Sequence, residues 1–107
     1  MLFFSEKKVV QIQAIKSKQI DKQIVKELKY WIKERIKDTI EYCKEKEYYS
    51  FSVDRLASIS NYTYKEFKQP FYNIVVPYFL SKGFKVTFDE CENCTISWGK
   101  AKDNIEQ

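Results

Sequence analysis

The stretch KQIDKQIVKELKYWIKERIKDTIEYCKEK, residues 18–46, decides the fold. On a helix turning about 100° per residue, Ile20, Ile24, Val25, Leu28, Trp31, Ile32, Ile36, Ile40 and Cys43 recur at spacings of three and four, the pattern of a stripe that faces a core. The spacing predicts one amphipathic helix over 18–46, whose apolar side the rest of the chain must cover.

The same helix separates its charges by sign. Lys18, Lys22, Lys26, Lys29, Lys33 and Lys37 follow one another every three or four residues and fall within about a third of the circumference. Glu27, Glu34, Asp38, Glu41 and Glu45 occupy a different strip, and few pairs have the Glu-before-Lys order that laces a helix internally. Two readings are open: a solvated face in a lysine-heavy chain, or a row that takes an anionic partner at Lys22, Lys26, Lys29, Lys33 and Lys37.

Outward from this helix, 107 residues fit a single domain over 1–107, able to bury roughly 65% of its unfolded surface. Eight Phe, eight Tyr and two Trp supply a core, and only two Gly and two Pro argue against disorder. The net charge of +4 is uneven, because Lys7–Lys37 holds ten Lys or Arg against three acids and leaves the remainder net acidic. The absence of His excludes imidazole base chemistry and histidine metal ligation. No apolar run reaches the ~20 residues of a membrane span, the start lacks a secretory pattern, and three Cys suit a reducing compartment, so the expected setting is cytoplasmic with no membrane partner.

Residues 1–17 form an arm or helix, read as helix because no Gly or Pro separates them from residue 18. A helix that long, with so much apolar surface, commonly pairs with a copy of itself, so a homodimer is expected. Tyr48–Val53 reads as a short extended piece, and residues 54–59 as a helical turn. Thr63 and Glu66 form a capping box that starts a helix at Tyr64. Pro70 and Pro77 stop, kink or restart the helical pattern that Phe71, Ile74, Val75, Tyr78 and Phe79 continue, and Gly83 caps its end. Phe84, Val86 and Phe88 alternate with polar residues, as do Cys94, Ile96 and Trp98, which predicts a β-hairpin centred on Cys91 with each pair in register. Residues 100–107 read as a polar, frayed tail. The expected class is therefore α+β: a long N-terminal amphipathic helix, two or three shorter helical segments and a C-terminal antiparallel hairpin.

Motifs for chemistry are sparse. Cys91 and Cys94 form a C-x-x-C, open to zinc, redox or no role; zinc needs a second pair, and only Cys43 is left. The register also puts Cys91 at a tip and turns Cys94 toward the core, so no metal is expected. The acidic tip, Asp89, Glu90 and Glu92, lacks the spacing and glycine of a calcium loop. No phosphate cradle, nucleophile elbow or acid pair is present, so neither a cofactor nor enzymatic activity is expected.

The order of elements is shared with a winged helix-turn-helix. In that reading Tyr64, Lys65, Lys68 and Gln69 start the reading helix, and Arg55 and the hairpin touch phosphates. Against it stand the two prolines and the acid at the wing tip. Gly83-Phe84-Lys85-Val86 followed by Thr95-Ile96-Ser97-Trp98 resembles the closing hairpin of many small uncharacterised proteins of tailed bacteriophages. The resemblance implies an accessory role: inhibition of a host enzyme or antiviral defence, capture of a signalling nucleotide, or a place in the virion. Three readings follow. They are a non-enzymatic binding protein that acts on a host protein through its basic helix, a DNA-binding regulator, and a virion or assembly protein. Lys and Tyr together also leave a nucleotide open as a ligand.

Overall fold

A computed structural model describes residues 2–105, with side chains described from Asp21 onward, so the side chains of Lys18, Ile20 and the 1–17 arm lie outside the described residues. The first helix, α1 (Leu2–Tyr42), is continuous. Ile24, Leu28, Ile32 and Ile36 are buried at a strict spacing of four, a ridge that slants across the helix and fits the groove of what packs on it. Val25, Trp31 and Ile40 flank that ridge, half-buried.

The predicted end of this helix at 46 is corrected to Tyr42, and Cys43 is exposed instead of belonging to the stripe. Between Ile40 and Tyr48 the chain offers only Tyr42 and Cys43 as apolar side chains, both exposed, so nothing holds a further turn against the core. The Lys46 amide instead donates to the Cys43 carbonyl at 2.9 Å and closes a turn.

That turn delivers β1 (Tyr48–Ser52), which pairs antiparallel with β3 (Asn93–Ser97), while β2 (Lys85–Phe88) pairs with the other side of β3. The hairpin register is the expected one, Val86 opposite Ile96 and Phe88 opposite Cys94. The third strand, in the order β1-β3-β2, is a finding of the structure. Phe51, Cys94, Ile96 and Trp98 face the helices and are buried. The opposite face is polar, and the hydroxyls of Ser50 and Thr95 bond across it at 2.7 Å.

Two short helices follow β1: α2 (Val53–Ile59) and α3 (Tyr64–Pro70), the latter opened by the Thr63–Glu66 capping box. The prolines do not end the helix. A π turn (Phe71–Val75) carries it into α4 (Val76–Ser81), with the Val76 amide donating to the Phe71 carbonyl five residues back. Pro lacks an amide and crowds the carbonyl four residues before it, and a wide turn between Pro70 and Pro77 relieves both demands. The turn also serves the core. Phe67, Phe71, Val75 and Phe79 are all buried at intervals of four, a set that drifts about 40° per step on an ordinary α-helix and is drawn back by the wider winding.

Gly83, at φ 92°, closes α4. Its amide donates to the Leu80 carbonyl and that of Phe84 to the Phe79 carbonyl, each at 3.1 Å, and the rings of Phe79 and Phe84 meet edge to face at 5.7 Å. Both bonds and the apolar contact are those of a Schellman cap. The expectation of a frayed tail is corrected: Gly99–Asn104 is a 3-10 helix that buries Ala101, Ile105 beyond it is buried too, and the Asn104 amide group donates to the Lys82 carbonyl at 2.8 Å. Ala101 and Ile105, four residues apart in an otherwise polar stretch, hold it down.

The protein is therefore α+β: one long helix, several shorter helical segments and a three-stranded antiparallel sheet. No described helix is long and apolar enough to cross a membrane.

Candidate protein-interaction surface

The ridge of α1 fixes where its other side chains point. Trp31, one residue before the buried Ile32, emerges beside β1 and meets Tyr49 and Phe51 edge-on, with ring centroids 6.2 and 5.9 Å away. It lines three adjoining depressions. The first, about 600 Å³, lies between α1, β1 and α2 and holds Arg35, Tyr49, Ser50, Arg55 and Ile59. A smaller one of about 130 Å³ continues between α1 and α2 past Leu56 to Tyr62. An open shelf of about 870 Å³ carries Tyr30 and Lys22, Lys26, Lys29 and Lys33.

The first depression concentrates a rare residue. The chain has two Arg among 19 basic residues, and both line this groove. The Arg35 guanidinium lies 5.8 Å from the Trp31 ring and 3.4 Å from Asp38 in an exposed pair, while Arg55 has no ion pair among the described residues. Burial pushes the Tyr49 phenol above its ordinary pKa, and Arg35 and Arg55 both pull it back, so both positive charges act at one spot. Arg binds carboxylates as a planar fork and stacks on aromatic rings, which Lys does not do equally.

The predicted lysine row is present but divided. Lys22 and Lys26 are exposed at the rim of the shelf. Lys29 and Lys33 lean on Tyr78 of α4, 4.0 and 4.9 Å from its ring, joined by Lys82 at 5.8 Å. Lys37 pairs with Glu34 at 3.6 Å.

The residues proposed for DNA are also separated. Lys65, Lys68 and Gln69 are exposed on α3, but Arg55 faces the groove with Arg35. Tyr64 turns to the hairpin, where its hydroxyl and that of Tyr72 donate to Glu92, and Lys68 sits 5.4 Å from the Tyr64 ring. Glu92 takes φ 57°, and its carbonyl accepts the Val53 amide at 3.1 Å. Asp89 accepts from the amides of Cys91 and Asn93 and from the Asn93 side chain, each at 2.9 Å. Two of the three tip carboxylates thus tie the hairpin to itself and to the helices. Cys94 is buried and its thiol is pushed up to about 12, while Cys91 is exposed. Among the described residues no group of three or more His, Cys, Asp or Glu could hold a metal.

Sequence reasoning passed over Trp31, Arg35 and Tyr49. The available signal was the choice of Arg at two positions of a chain that otherwise uses Lys. Compared with protein families, characterised proteins and solved structures, the chain matches none.

Proposed function

We propose that this chain is a non-enzymatic binding protein that captures an acidic protein partner on the surface centred on Trp31. The observation that carries the reading is the convergence of both arginines, Arg35 and Arg55, on one groove that also presents Trp31 and Tyr49. Trp, Tyr and Arg dominate binding energy where they cluster in a surface recess. Lys22 and Lys26 extend the positive field along α1 and would speed encounter with a negative partner. In the phage setting suggested by the hairpin's resemblance, that partner is a host protein.

The test is co-purification from the native host, read by mass spectrometry. Arg35→Glu with Arg55→Glu should abolish capture of the specific partner while the thermal transition stays in place, and Lys65→Glu with Lys68→Glu should leave capture intact. The reverse pattern would overturn the reading.

An element order shared with winged helix-turn-helix proteins, with Lys65, Lys68 and Gln69 exposed on α3, favours a second reading, binding of duplex DNA. It calls for affinity on a random duplex that falls steeply with salt and is lost in the Lys65→Glu, Lys68→Glu variant. The carboxylate of Glu92 beside Tyr64 weighs against it, since phosphates would meet like charge.

A further inference from the structure

The first depression follows the free edge of β1, and the register shows what that edge presents. The Val53 amide donates to the Glu92 carbonyl and the Trp98 amide to the Glu47 carbonyl, so the pairs 53/92 and 47/98 are hydrogen-bonded ones. Antiparallel pairs alternate, which makes 51/94 and 49/96 hydrogen-bonded as well and turns the backbone groups of Tyr48 and Ser50 away from β3. The complementary parity holds on the other side of β3, where the Asp89 amide donates to the Asn93 carbonyl and so turns Asn93, Thr95 and Ser97 toward β2. Among the described residues β1 has only β3 as a strand neighbour, and the outward backbone groups of Tyr48 and Ser50 bond to no other backbone group.

Edges of this kind are usually blunted by Lys, Pro or a bulge. Tyr48-Tyr49-Ser50-Phe51-Ser52 contains neither Lys nor Pro, and its pairing with β3 is unbroken. A groove runs beside it with Trp31 and Ile59 as apolar contacts and one arginine on each flanking helix. Five residues of strand offer an added chain about 17 Å of ladder.

We propose that the free edge of β1 takes up an extended acidic peptide as a fourth strand, its carboxylates meeting Arg35 and Arg55 and one apolar side chain resting on Trp31. This deepens the reading of the Trp31 surface and rests on it for the identity of the peptide as part of a protein partner. Main-chain bonds to Tyr48 and Ser50 supply affinity for any extended chain, and the two guanidiniums select for negative charge.

The experiment uses the full chain labelled with 15N and an acetylated, amidated Glu-Thr-Val-Thr-Glu-Thr peptide, whose two carboxylates and Val share one strand face, at millimolar concentration, with Lys-Thr-Val-Thr-Lys-Thr as control. The acidic peptide should slow exchange of the Tyr48 and Ser50 amides about tenfold or more, and the lysine peptide should not. Protection should vanish in the Arg35→Glu, Arg55→Glu variant and with a peptide N-methylated along one edge. Unprotected amides with the acidic peptide overturn the inference, and so does equal protection by the lysine peptide. Protection in the free protein that grows with its own concentration overturns it too, because a second copy then covers the edge. If arginine reversal abolishes partner capture while the amides stay exposed, the Trp31 surface stands and strand addition falls. If the peptide protects the amides but capture ignores the arginines, strand addition stands and the assignment of this surface to the partner falls.

Discussion

The hydroxyl of Tyr64 donates to both carboxylate oxygens of Glu92, at 2.7 and 2.8 Å, and so fastens the first turn of α3 to the tip of the hairpin. Tyr72, two turns later, donates to the same carboxylate at 2.9 Å. One acid thus gathers a helix, a hairpin and, through its carbonyl, the start of α2.

This arrangement predicts the acid stability of the molecule. The two phenols hold the Glu92 carboxyl below its ordinary value of 4.5, with Lys68 adding to the effect, and hydrogen bonds lower Asp89 and Glu66 in the same way. The unfolded chain therefore takes up these protons first as pH falls. Their contribution is complete at neutral pH and is lost as pH drops below the ordinary carboxyl range through the folded values. Urea unfolding at neutral pH and at about pH 3.5 should show this loss, and Glu92→Gln should lower neutral stability while making the acid decline shallower.

Phe71 joins the hairpin to the helices, with edge-on contacts to Phe51, Phe67, Tyr72 and Phe88 at centroid distances of 5.0–6.5 Å. Phe71→Ala should cost about 3–5 kcal/mol, read from the denaturant midpoint. Tyr72→Phe keeps the ring and removes one bond to Glu92, and should cost only about 1 kcal/mol.

Gly83 adopts a backbone conformation that side chains resist, and a Cβ there would lie 3.4 Å from that of Ala101. Gly83→Ala should destabilise by about 1–2 kcal/mol, a loss visible in thermal unfolding.

The thiols should divide by burial. Cys43 and Cys91 are exposed, and Cys94 is buried with its thiol pushed up to about 12. A thiol reagent should modify Cys43 and Cys91 at once in native protein and reach Cys94 only in denaturant, as peptide mapping would show.

Most of the fold was legible because its signals are local. The four-spaced ridge of α1, the Thr63 box, the Gly83 cap and the alternation around Cys91 each depend on residues within a few turns of one another. Pairing of β1 with β3 was not legible, since Tyr48–Ser52 carries no mark of which of two hairpin edges it will meet. The path through Pro70 and Pro77 was hidden for a similar reason: only the demand to bury Phe67, Phe71, Val75 and Phe79 together decides between stopping and widening. The candidate site was legible least. Trp31, Arg35, Tyr49 and Arg55 come from α1, β1 and α2, and no spacing along the chain announces their meeting.

The π turn makes this protein unequally tolerant of changes in length. A chain one residue shorter between Phe71 and Val75 could wind as an ordinary helix. The wide turn uses one residue more than an α turn on nearly the same sweep, so Phe79 would keep its inward phase and the hairpin its aim. The exposed link at 43–46 imposes no such phase. Insertions belong there, and a deletion scan would find the wide turn to be the position within the helices where the loss of one residue, such as the exposed Asn73, is best absorbed.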